Sequence, residues 1–111
     1  MSRKRKPKEG AEPIIIPGTM RPTDEAGRQR MIYDAIKIQI DRNMSVFNSR
    51  FSKTPTNEDY KATFGVCQRT IMRHYDDPST MGLKDVLVHE AFARRAGIPD
   101  YVEEAYRAIS A

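Results

Sequence analysis

Tryptophan is absent and cysteine occurs once, at Cys67. A lone thiol closes no intramolecular disulfide, so the chain has no covalent staple and suits a reducing compartment. Long apolar runs are missing too. The most apolar stretch is Ile14-Ile15-Ile16, far short of the roughly 20 residues that span a bilayer. No apolar segment of leader length follows the basic start, so neither a membrane contact nor a secretory signal is expected, and the cytoplasm is the expected location. Catalytic patterns are lacking as well: there is no glycine-rich phosphate loop and no nucleophile motif. His74 and His89 have no metal-ligand spacing around them, and the acid pairs Asp76-Asp77 and Glu103-Glu104 read as helix-end or surface charge. The sequence therefore predicts no enzyme, no cofactor, no metal and no small-molecule ligand.

What the chain does have is charge, unevenly placed. Its 111 residues hold 19 Lys and Arg against 15 Asp and Glu, a net +4. Arg3, Lys4, Arg5, Lys6 and Lys8 supply five of the cations, which leaves fourteen against fifteen over residues 9–111. Within that remainder, residues 42–73 carry Arg42, Arg50, Lys53, Lys61, Arg69 and Arg73 against only Glu58 and Asp59. Residues 74–111 reverse the balance, with four cations and seven acids. A chain that is basic in one region and acidic beyond it suggests one face for a polyanion and another for a different contact. With 39% hydrophobic residues it closes a modest helical core, too small for a deep cleft, and dimerisation would add to that core.

Residues 1–22 contain Pro7, Pro13, Pro17 and Pro22 with Gly10 and Gly18, a spacing that blocks regular helix and predicts a flexible, disordered basic arm. Ile14-Ile15-Ile16 would dock on the domain surface or on a partner. Residues 23–111 predict a single all-α domain of about five helices. The first starts after Thr23 as cap, with Ile32, Ile36, Ile40, Met44, Phe47 and Phe51 at helical spacing and Met31, Ala35 and Ile38 widening the stripe. Thr56-Asn57-Glu58-Asp59 has the form of a capping box for a short second helix carrying Tyr60 and Phe64. Gly65 turns the chain into a third helix over 67–75, which Asp76-Asp77-Pro78 ends. Ser79 or Thr80 would cap a fourth helix with Leu83, Val86, Leu87, Ala91 and Phe92 on its apolar face, stopped at Gly97. A last helix follows Pro99, burying Val102, Ala105, Tyr106 and Ile109. No strand pattern appears within residues 23–111.

The stretch Phe64-Gly65-Val66-Cys67-Gln68-Arg69-Thr70-Ile71-Met72-Arg73-His74-Tyr75 is the most telling. Glycine between two apolar residues allows a sharp inter-helix turn, Val66 and Ile71 then face inward, and Gln68, Arg69, Thr70 and Arg73 face out. Phe64-Gly65-Val66, Thr70-Ile71, Arg73 and His74-Tyr75 resemble the helix-turn-helix of bacterial DNA-binding proteins, of the resolvase and invertase type and of the TetR type. The resemblance covers residues 56–75, with no recombinase or ligand-binding domain attached. It departs at Lys61, where these families place alanine because two helices cross closely there; either the lysine extends out of the crossing or Ala62 takes its place.

The resemblance implies that the third helix lies in the major groove of double-stranded DNA. Gln68 would pair with adenine, Arg69 or Arg73 with guanine, and Thr70 with a phosphate or a thymine methyl, with Cys67 and His74 also on the DNA side. Arg3, Lys4, Arg5, Lys6 and Lys8 would run along phosphates or enter the minor groove. Cys67 sits where small residues are usual, so packing rather than redox sensing is its expected role. The resulting expectation is a small phage-like or bacterial transcriptional regulator, working as a homodimer through residues beyond 80, at the nucleoid or, in a eukaryotic host, in the nucleus. Two other readings fit the same sequence: a DNA-packaging or recruitment factor forming a small-terminase-like oligomer, and a helical protein-interaction module that binds no nucleic acid.

Overall fold

Asp24 is the N-cap of the first helix, α1 (Glu25–Ser49), and accepts a hydrogen bond from the Gly27 amide at 2.8 Å; Thr23, the expected cap, lies outside the described residues. The helix buries Met31, Ala35, Ile36, Gln39, Ile40, Asn43 and Phe47. Those positions recur at three and four, as a helix facing a core requires. Asn48 and Ser49 end it by bonding back to the carbonyls of Met44 (2.7 Å) and Val46 (2.6 Å), local bonds that compete with a further helical turn. Phe51 therefore falls outside the helix and is exposed, though its ring still meets Phe47 at 4.9 Å.

The computed structural model describes residues 24–110, which form five α-helices and, among these described residues, no strand. After α1 come α2 (Asn57–Phe64), α3 (Gln68–Asp76), a single 3-10 turn (Pro78–Thr80), α4 (Leu83–Ala96) and α5 (Tyr101–Ser110). The basic arm expected over residues 1–22, with Arg3, Lys4, Arg5, Lys6 and Lys8, lies outside the described residues. Helix α1 is the hub, packing against α5, α4 and α3, while α2 leans on α4.

Two packing zones hold the helices. At the amino-terminal half of α1, Met31 and Ala35 meet Ala105 and Ala108 of α5, where small side chains let the two helices approach. At the other end the core is aromatic. Phe47 lies 5.0 Å from Tyr60 and 5.1 Å from Phe64, and Phe64 lies 5.1 Å from Phe92. These contacts tie α1, α2 and α4 together, each pair contributing about 1 kcal/mol beyond its buried area.

Helix α4 differs from expectation. Gly82, not Ser79 or Thr80, is its N-cap residue; the Asp77 carboxylate instead takes the Ser79 amide and hydroxyl and so shapes the 3-10 turn. Its buried face is His89, Glu90, Phe92 and Ala93, whereas Leu83 and Leu87 are 73% and 52% exposed. Gly97, at φ 76°, ends it as expected. In α5 the buried residues are Val102, Ala105 and Ala108, and Tyr106 is exposed.

Polar side chains occupy the interior between the two zones, and their bonds settle one another's orientation. The Tyr101 amide donates to Gln39 Oε1 at 2.8 Å, so Gln39 Nε2 must be the group that donates to the Pro99 carbonyl (3.1 Å) and to Asn43 Oδ1 (3.2 Å). Asn43 Nδ2 then donates to the His89 carbonyl at 2.9 Å and to His89 Nδ1 at 3.1 Å. An amide donor facing Nδ1 requires the lone pair there, which puts the proton of neutral His89 on Nε2. This chain fixes α4 and the start of α5 against α1.

Candidate nucleic-acid interface

The local sequence of residues 56–76 builds two short helices and a turn. Thr56 Oγ1 accepts from the Asp59 amide at 3.2 Å while Asp59 Oδ2 accepts from the Thr56 amide at 2.9 Å, the reciprocal capping box that starts α2. Gly65 ends α2 at φ 82°, its amide bonded to the Lys61 carbonyl at 2.9 Å. A Cβ there would meet nothing within 4 Å, so the left-handed backbone alone is what calls for glycine. Val66 follows, and Cys67 in extended conformation serves as the N-cap position of α3 without a side-chain cap bond.

At about 100° per residue, α3 divides cleanly. Ile71 and His74 are buried, and Val66, Cys67, Thr70 and Tyr75 are half-buried beside them. Gln68, Met72, Asp76, Arg69 and Arg73 are exposed and follow one another around the remaining arc, with Gln68 at its edge beside Tyr75. Of the expected reading residues, the fold therefore brings Gln68, Arg69 and Arg73 together on one open face. Thr70 and Cys67 stand at its edge, with Cys67 Sγ 3.5 Å from Thr70 Oγ1. Hydrogen bonding to the Thr70 hydroxyl, then to its backbone, lowers the Cys67 thiol pKa.

His74 is a correction. It is 2% exposed and lies on the inner face three residues after Ile71, so it packs the core and presents no edge to a base. Its Nδ1 has no partner among the described residues. Burial lowers its pKa, Asp85 of α4 opposes that, and Arg73 adds to it. The i, i+3 spacing from Ile71 was the signal that would have placed it inward. Met72 is the converse case: four residues after Gln68, it shares that residue's exposed side, and its apolar chemistry gives no sequence signal for a polar interface.

Lys61 is exposed, and so is Ala62. The helix is not rotated to bring Ala62 inward. The lysine points out, and since α2 packs chiefly on α4, no small residue is demanded of it by a close crossing. Its charge joins an exposed set: Arg42, Arg50, Lys53, Lys61, Arg69 and Arg73 are all exposed. The ion pairs among the described residues are Arg28–Glu25, Arg94–Asp100 and Arg107–Glu103, none of them drawn from this set. Arg50 instead lies over the Phe92 ring, 4.8 Å from its centroid.

Among the described residues no cluster of histidine, cysteine and carboxylate side chains is placed to hold a metal ion, and no helix is long and apolar enough to cross a membrane. Comparison with protein-family models, curated proteins and solved structures returned no match to this chain.

Proposed function

We propose that this protein is a non-catalytic, sequence-reading binder of double-stranded DNA, with α2, the Gly65 turn and α3 acting as a helix-turn-helix and α3 entering the major groove. The observation that carries the reading is the back-to-back arrangement of α3. A buried face of Ile71 and His74 anchors it, and an open face of Gln68, Arg69, Met72 and Arg73, with Asp76 the one acid on it, stands in a region none of whose six cations forms an ion pair among the described residues. Arginine and glutamine on an exposed helix are the side chains that match guanine and adenine edges, and unneutralised cations favour a polyanion. Residues 1–8 add phosphate affinity from the arm.

In this reading the protein regulates transcription as a homodimer at the nucleoid. Leu83 and Leu87, one turn apart on α4 and both exposed, are the self-association surface, and two copies would set half-sites about 34 Å apart. The same leucines serve equally in a larger ring of the DNA-packaging kind, which light scattering separates from a dimer. The deciding experiment is gel-shift selection from random duplexes. Enrichment of a paired motif, relaxed at one position by Arg69→Ala, is the expected result. Recovery of no motif rejects sequence reading, and absence of any salt-dependent duplex binding rejects the DNA assignment altogether.

A further inference from the structure

Met72 is the apolar member of the open face of α3. It is 43% exposed, although α3 has already buried Ile71 and packed Tyr75 partly against the core, and Met72 is not among the side chains packed against either core cluster. On the helix it falls between Gln68, one turn before, and Asp76, one turn after, with Arg69 and Arg73 forming the adjacent row; all four neighbours are exposed. An apolar side chain framed by polar and charged ones is poorly placed for a greasy protein groove, because docking there would desolvate two guanidinium groups with it. It is well placed for a surface that is itself charged at the walls and apolar at one spot. The major groove is such a surface: phosphates line it, and the thymine C5-methyl is the apolar group on its floor.

We infer that Met72 is a specificity-determining residue that packs on a thymine methyl. The inference rests on the reading of α3 as the groove-facing helix. The rise from Gln68 to Met72 is about 6 Å, roughly two base steps at 3.4 Å each. The thymine therefore lies within about two base pairs of the adenine that Gln68 reads. Methionine suits the contact because its unbranched, polarisable thioether adapts to a methyl without a defined pocket. Arg69 and Arg73, on the adjacent row, are turned toward one wall of the groove, where they take phosphate oxygens or a flanking guanine.

The test uses the full chain and the duplex recovered by selection, with each thymine replaced in turn by uracil, which removes the C5-methyl and nothing else. One replacement is expected to weaken wild-type binding roughly fourfold, the factor carried by burying one methyl-sized group. Met72→Ala should bind the thymine duplex more weakly by at least as much and be indifferent to that replacement. Met72→Leu, which keeps an apolar reach, should remain sensitive to it. Circular dichroism of each variant matching wild type excludes misfolding. Wild-type indifference to uracil at every position, or an unchanged uracil penalty in Met72→Ala, overturns the inference while leaving α3 as the reading helix. A loss of self-association in Met72→Ala with no methyl sensitivity also overturns it. Absence of duplex binding by wild type overturns both.

Discussion

Replacing Glu90 by glutamine should turn a stability that is nearly flat between pH 4.5 and 6.5 into one that falls steeply toward acid. His89 and Glu90 are neighbours on α4, 4% and 8% exposed, and burial acts on them in opposite senses. His89 is pushed down to about 4, first by burial, then by repulsion from His74, with Asp85 opposing. Its ring stacks on Phe64 at 4.9 Å and its Nδ1 accepts from Asn43, so a proton there would also set two donors against each other. Glu90 is pushed up to about 7, first by burial, then by its hydrogen bond to Asp100 and by the charges of Asp100 and Glu103, with Arg94 opposing.

The signs follow from which state binds more protons. For His89 the unfolded chain protonates near 6.5 and the folded one near 4; the stability it contributes is complete above 6.5 and is lost as pH falls toward 4. For Glu90 the unfolded chain ionises near 4.5 and the folded one near 7, so its contribution is complete below 4.5 and is lost as pH rises toward 7. Each slope is at most about 1.4 kcal/mol per pH unit, and over the shared window they oppose. His74 adds to the histidine side. Glutamine keeps a donor for Asp100, as the protonated acid does, but cannot ionise, so the histidine slope stands alone. Urea unfolding followed by far-UV circular dichroism should then show Glu90→Gln losing about 2 kcal/mol from pH 6.5 to 4.5. A variant as flat as wild type, or a wild type that itself falls by this amount, refutes the reasoning.

Asn43→Ala should cost about 3 kcal/mol in urea unfolding, because it leaves the buried His89 Nδ1 without its donor and removes a partner from Gln39 Nε2. Gly65→Ala should cost about 1 kcal/mol by the same assay, since the added methyl meets open space and only the positive φ is penalised. Removing residues 1–8 should weaken binding to all duplexes alike and flatten its salt dependence, and Arg73→Ala should lower the salt slope by about one if it contacts phosphate; unchanged slopes in titrations at several salt concentrations would exclude both contacts.

Where the sequence was legible, the cause was local. The Thr56–Asp59 box, the turn at Gly65, the stop at Asp77-Pro78 and the cap at Gly97 each depend on residues within four positions of one another, and all four are where their chemistry predicted. The exposed Gln68, Arg69 and Arg73 follow from helical periodicity once Ile71 is taken as buried. His74 was misplaced because histidine suits both a core and a base edge, and its residue type does not choose. Leu83 and Leu87 misled for a similar reason. Residues 83–93 carry apolar side chains on more than one side, and hydrophobicity favours the leucines over His89 and Glu90.

The start and end of α2, the ends of α3 and α4, the all-α class, the basic bias of residues 42–73 and the polar outer arc of α3 were determined by the sequence itself, since caps, turns and periodicity act over one or two turns of chain. Which side of α4 faces inward was decided by the tertiary structure. The partners that make His89 tolerable inside, Asn43 and Phe64, lie 46 and 25 residues away, and those of Gln39 lie about 60 residues away at Pro99 and Tyr101. A buried polar group is stable only when its hydrogen bonds are satisfied, and no local pattern shows that a distant amide will satisfy them. The same limit applies to Lys61: its tolerance depended on how closely α2 approaches its neighbours, a distance that exists only once the helices have packed.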